Sequence, residues 1–212
     1  WRDQRSFDWA QRWAPKLPMV LAADPVWQMP ARPWLGGDAI VLSWRPTPLL
    51  NDQEWEVLLK ALDLLSAELK APVIWLAFHE HQDGPLLDQL WNRGLMPTRL
   101  RERSTTQAAK SLDAVFTTVD QARLVLPMRL HALILARLGG SPMVALSYDP
   151  KVEAAAVEAD VSFVRLSELP GVDELLGLWR SALDQPADVH SVERLRCLAS
   201  GHASVLEATV QR

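Results

Sequence analysis

Three side chains able to hold an anion or move a proton fall within two short stretches. Arg129 and His131 lie in Pro127-Met128-Arg129-Leu130-His131-Ala132, and Lys151 lies in Ser147-Tyr148-Asp149-Pro150-Lys151. A guanidinium grips phosphate or carboxylate through paired N–H bonds, an imidazole exchanges protons near neutrality, and an ammonium is a mobile point charge. Together they suit a small, multiply charged anion and proton transfer to or from it. Taken singly, each has an ordinary explanation, as a solvated cation or a structural histidine. What points to a site is their occurrence at neighbouring junctions.

The junctions follow from the order of elements. Apolar runs at residues 39–43, 73–77, 123–127, 142–147 and 161–166 read as buried strands, and stretches with a period near 3.6 at 55–69, 86–93, 130–138 and 150–159 read as helices. A helix is also expected over residues 5–14, a short strand over 19–22, another over 98–103, and two further helices near 172–184 and 190–210. Residues 114–119 carry β-branched side chains that favour a strand, but the alternation calls for a helix there, and a helix is expected. Continuously apolar strands separated by amphipathic helices predict an α/β, Rossmann-like, doubly wound parallel sheet. Such sheets bind ligands beyond the carboxyl ends of their strands, and right-handed crossovers bring consecutive junctions to the same edge. Arg129, His131 and Lys151 are therefore expected to converge on one pocket. Asp149 suits the N-cap and Pro150 the first helical position, so Lys151 falls in a first helical turn, where the helix dipole disfavours a cation by roughly 0.3–1 kcal/mol. An anion would relieve that conflict.

Composition narrows the field. Acidic and basic residues are interspersed and the net charge is −4, which offers no broad basic face to nucleic acid. Cys197 is the single cysteine, so an internal disulfide is excluded and a reducing, cytoplasmic setting is expected. No run reaches the roughly 20 apolar residues of a spanning helix. A G-x-G-x-x-G fingerprint is missing after the first strand, which argues against dinucleotide binding. Seven of the ten tryptophans fall within the first 55 residues and are read as core and interface fillers, with sugar stacking as the alternative for one or two. A Pro- and Gly-containing linker near residues 28–37 marks the best boundary, dividing a segment 1–30 from a domain 31–212. The chain starts at Trp1, inside what reads as a structured segment, and is expected to be a piece of a longer protein.

Met128-Arg129-Leu130-His131-Ala132-Leu133, then Pro142-Met143-Val144, then Ser147-Tyr148-Asp149-Pro150-Lys151-Val152 resemble the signature of the CsaB-type polysaccharide pyruvyl transferases. The resemblance implies the C-terminal domain of a two-domain, GT-B-like fold that moves a pyruvyl group from phosphoenolpyruvate to a sugar as a cyclic ketal. It implies further that Arg129 and His131 belong to the phosphoenolpyruvate site, with Leu130 between them, and that Lys151 is another essential cation. Arg2-Asp3 with Ser6 resembles a further family motif, which makes Arg2 a substrate-binding candidate. Gln82 and Asp83 stand where relatives carry a polar loop and are candidates to line the cleft. Pro127 takes the place of the family's usual glycine. His79 and His81 lack a third ligand, so no metal is expected, and no organic cofactor is implied.

In this reading His131 is the general acid and base, Arg129 grips phosphate or carboxylate, and Lys151 supports the departing phosphate. The expected partners are phosphoenolpyruvate, a glycan or lipid-linked sugar acceptor, and the absent N-terminal domain of the same protein. A lipid-linked acceptor would hold the protein at the inner membrane face, and apolar surface left uncovered would allow a homodimer. Two rival readings are a GT-B glycosyltransferase or sugar-nucleotide epimerase using the same strand ends, and a non-catalytic anion- or glycan-binding module.

Overall fold

The computed structural model describes residues 4–185 and 189–203. Its central strands are the apolar runs of the sequence. β1 (Ala39–Ser43) is buried at every position, and β2 (Val73–Ala77) and β4 (Ala122–Pro127) at all but one. They pair in parallel with β3 (Ser104–Ala108) in the order β3-β2-β1-β4. β5 (Ala145–Ser147) pairs with β6 (Phe163–Arg165). A bridge between Val125 and Met143, with Val144 N donating to Val125 O at 3.2 Å, sets that pair beside β4. The combined order β3-β2-β1-β4-β5-β6 is that of a doubly wound Rossmann-type sheet, as expected. Strand order reverses between β1 and β4, and Ser43 faces Pro127 in register, so the carboxyl ends of these two strands flank the ligand crevice of the fold.

Both faces of the sheet are covered, because each strand alternates its side chains between them. On one face α2 (Asp52–Leu69), α4 (Leu86–Asn92), α5 (Thr98–Arg103) and α9 (Val172–Leu183) bury Leu58, Leu62, Leu90, Leu100 and Trp179 against Ile40 and Leu42. The other is covered by α6 (Leu112–Asp120), α7 (Leu130–Leu138), α8 (Pro150–Glu158) and α10 (Val189–Ala199), packed around Val41 and Val125. Trp44, Trp55 and Trp75 form one buried cluster, with ring centroids 6.0 and 5.4 Å apart. A buried aromatic removes about 150–250 Å² from water, an upper-bound gain of about 4–6 kcal/mol each at 25 cal/mol per Å². Trp44 also donates its indole N–H to Leu126 O at 3.0 Å, which ties the exit of β1 to that of β4. Trp9 and Trp13 of α1 (Gln4–Trp13) stay exposed. No helix among the described residues is long and apolar enough to cross a membrane.

Two expected strands do not form. Residues 98–103 are the helix α5, opened by the extended Pro97, and the edge strand β3 is the next five residues. Leu100 is the one buried residue of α5, so the segment covers the sheet instead of joining it. Residues 19–22 are not part of a strand in the described residues. They lead to a 3-10 turn, Pro25–Gln28, capped by Asp24, whose Oδ1 accepts from Val26 N at 3.0 Å. The expected helix over 114–119 does form, with Ser111 Oγ accepting from Ala114 N at 3.2 Å. The helix expected near 190–210 is observed as α10, and its later part lies outside the described residues.

The segment between the 3-10 turn and β1 is pinned to the sheet's amino end. Arg32 N donates to Leu138 O at 2.8 Å, and Trp34 Nε1 donates to Ala122 O at 2.9 Å. Arg32 also pairs with the buried Asp120 at 3.2 Å. Burial pushes the Asp120 carboxyl above its ordinary value, against the opposing pull of Arg32. Gly37 lies so close to Gln121 that an added Cβ would fall 1.4 Å from its carbonyl oxygen.

Candidate functional site

Arg129 is the first residue beyond Met128 at the exit of β4 and occupies the N-cap of α7 with extended backbone, φ −85° and ψ 131°. An arginine cannot accept the first-turn amides, so α7 starts without a side-chain cap and keeps the partial positive charge of its amino end. The guanidinium instead turns back over the end of β1 to the exit of β2. There α3 (Glu80–Asp83) presents Asp83, whose side chain is 2% exposed. Arg129 Nε donates to Asp83 Oδ2 at 3.2 Å, Nη2 donates to Asp83 Oδ1, and Nη2 reaches Gln82 Oε1 at 3.3 Å. Asp83 Oδ2 also accepts from His79 N at 2.9 Å, which closes the α3 turn. The structure thus brings together three of the residues singled out in the sequence: Arg129, Gln82 and Asp83.

His131 lies in the first turn of α7, with its side chain 53% exposed and Nε2 4.0 Å from Asp24 Oδ2. That spacing is too long for a hydrogen bond. The imidazole borders a groove of about 340 Å³ whose other walls are mostly apolar, among them Phe78, Leu112 and Val115, with Ser111. Lys151 lies in the first turn of α8, where Asp149 Oδ1 accepts from Lys151 N at 2.9 Å and Asp149 Oδ2 lies 3.4 Å from Nζ. The dipole conflict expected there is therefore offset by the helix's own N-cap. Lys151 borders a smaller depression together with Asp24, Trp27, Leu130 and Glu158.

The groove and the depression share no lining residue, and Arg129 borders neither. Each expected cation has a carboxylate beside it: Asp83 for Arg129, Asp24 for His131 and Asp149 for Lys151. This departs from the expected single pocket. For Arg129, the one of the three that is largely buried, the physical reason is local neutralisation, since a charge taken out of water is costly unless partnered. Asp24 links the two cavities, facing His131 and lining the depression with Lys151 and Leu130. Arg2 lies outside the described residues. His79 and His81 are exposed with rings 6.4 Å apart, and no group of three metal-ligating side chains occurs among the described residues.

Sequence reasoning missed Asp24, Arg45 and the role of Tyr148. Arg45 follows β1 by two residues and donates from Nη1 to Tyr148 Oη at 3.2 Å, with its guanidinium carbon 5.0 Å from the ring centroid. A signal existed for Arg45, because it is the first charged residue past a buried strand. Asp24 gave only the Asp-Pro of a turn start.

The chain is similar to known proteins in sequence pattern and in fold. The family model described as polysaccharide pyruvyl transferase matches residues 1–150. Among solved structures, Os79 from O. sativa superposes with a TM-score of 0.52 at 14% identity, covering 87% of this chain and 43% of that one. A glycotransferase of kitacinnamycin gives 0.47 at 13% identity, with 79% and 40% covered. The Thermobaculum terrenum O-GlcNAc transferase gives 0.44 at 18% identity, with 87% and 33% covered. This chain therefore spans less than half the length of each of these structures. The likeness to Os79 concerns fold alone, a parallel sheet with flanking helices of the GT-B glycosyltransferase kind. No curated protein matches the sequence.

Proposed function

Because this chain belongs to the polysaccharide pyruvyl transferase family, we propose that it forms the phosphoenolpyruvate-binding part of an enzyme that transfers pyruvyl to a cell-wall or exopolysaccharide sugar as a cyclic ketal. One observation carries the reading: α7 starts uncapped beside the point where strand order reverses, with Arg129 at its cap and His131 in its first turn. Free first-turn amides and a neighbouring guanidinium favour an anion with several oxygens.

In the proposed reaction, protonated His131 gives its proton to C3 of the enol ether, and C2 becomes electrophilic as the double-bond electrons form the new C–H bond. The first sugar hydroxyl bonds to C2 and returns a proton to the imidazole. The C2–O bond to phosphate then breaks, its electron pair leaving with the phosphate. The second hydroxyl bonds to C2 and its proton ends on the released phosphate. The α7 amino end stabilises the departing phosphate, Lys151 reaches it from the adjoining depression, and Arg129 braces this edge through Asp83. Phosphoenolpyruvate is a cytoplasmic metabolite, so the enzyme works there, and another region of the same protein completes the binding of a glycan or lipid-linked acceptor.

The test follows phosphate release from phosphoenolpyruvate by 31P NMR in the complete enzyme with its glycan acceptor. His131→Ala should lower turnover by about 10²–10⁴-fold, the usual worth of a general acid and base, while donor affinity stays within a few-fold. Near-normal turnover in that variant would remove His131 from the chemistry.

A further inference from the structure

The geometry points to Arg45, held by Tyr148, as the residue that takes the phosphate of the donor, a role the sequence motifs gave to other cations. This rests on the pyruvyl transferase reading and names a binding group within it.

The argument starts from charge. Arg129, His131 and Lys151 each face a carboxylate, but Arg45 has none within ion-pair distance among the described residues. Its guanidinium uses one N–H toward Tyr148 Oη and one, at 3.4 Å, toward Pro46 O. A guanidinium has five N–H donors in a planar fork, so the remainder suffice for a bidentate grip on phosphate. Both side chains are half-buried, which strengthens such a bond relative to one in open water.

Position agrees with charge. Arg45 leaves β1 and Tyr148 leaves β5, and β4 lies between those strands, so their contact spans the exit of β4 where α7 begins. The pair therefore sits at the point where strand order reverses, beside the uncapped amino end of α7. Tyr148 holds the guanidinium through its hydroxyl and lies beside it, so part of the rotamer freedom an arginine loses on binding is already spent. Two residues before Arg45, the buried Ser43 hydroxyl has no hydrogen-bond partner among the described residues, a further unsatisfied polar group at the same strand end. Arg129 and Arg45 thus divide the work: the first braces α3 through Asp83, and the second meets the donor.

Calorimetric titration of this chain with phosphoenolpyruvate and, separately, with inorganic phosphate tests the assignment, with thermal melts confirming that each variant folds. Arg45→Ala should weaken both ligands by about 10–100-fold, the worth of a charge-assisted hydrogen bond, with Arg45→Lys recovering only part and Tyr148→Phe losing a few-fold. Unchanged phosphoenolpyruvate affinity in Arg45→Ala, with the wild type binding, overturns the role of Arg45 and leaves the proposed function standing. Tight binding of a nucleotide sugar but not of phosphoenolpyruvate, lost in Arg45→Ala, keeps Arg45 as the phosphate residue and overturns the pyruvyl transferase reading. A wild-type chain that takes up neither ligand at millimolar concentration overturns both.

Discussion

Arg129 and Asp83, 46 residues apart in sequence, form a two-pronged ion pair at the carboxyl edge of the sheet, with the carboxylate almost wholly buried. The pair crosses the end of β1 and locks the turn after β2 to the start of α7. A residue marked by its motif as a ligand-binding cation is therefore also a structural brace.

Replacing Arg129 by alanine leaves Asp83 buried without its counter-charge. The expected cost is about 3–5 kcal/mol, the usual result of breaking one half of a buried pair. The double variant Arg129→Ala/Asp83→Asn should recover much of that, because the asparagine oxygen still accepts from His79 N without carrying charge. Urea denaturation of the two single variants and the double variant measures the coupling, and additive effects would show that the pair contributes nothing.

Asp24 separates cap from charge in a similar way. Asp24→Asn keeps an oxygen for Val26 N and should change stability by less than about 0.5 kcal/mol, whereas Asp24→Ala should lose about 1 kcal/mol of capping. Both remove the carboxylate that faces His131, so both should lower turnover of the complete enzyme. Turnover that tracks stability instead of charge would make Asp24 a cap only.

Gly37→Ala should loosen the segment that joins the 3-10 turn to β1. An alanine Cβ would overlap the carbonyl of Gln121, so one backbone or the other has to move. The expected loss exceeds 2 kcal/mol, in the range of a forced steric clash in a packed region. Hydrogen exchange should show faster exchange of Arg32 N, which is bonded to Leu138 O, than of the β1 amides.

The raised carboxyl pKa of Asp120 gives a pH signature. The folded chain holds that proton more tightly than the unfolded chain, so the contribution is fully present below the ordinary 3.8 and is lost as pH rises through the folded value. Asp120→Asn has no such titration. The Tm of the variant relative to wild type should therefore rise between pH 3 and pH 7, as measured by paired thermal melts. A constant difference across that range would mean that burial does not perturb this group.

The amino-acid order alone determined the doubly wound sheet, most of its helices and the two junctions that hold Arg129, His131 and Lys151. Apolar runs, helical periodicity and end signals such as Asp149-Pro150 act within a few residues of one another, so each is readable locally. The exchange of strand for helix at 98–103 was hidden because alternating charges suit either state until a packing surface chooses. Which carboxylate stands beside which cation was hidden for a stronger reason. Asp83 meets Arg129, Asp24 meets His131, and Arg45 meets Tyr148 only after crossovers bring distant strand ends to one edge. Electrostatic partnership depends on distance in space, and only tertiary structure sets that distance.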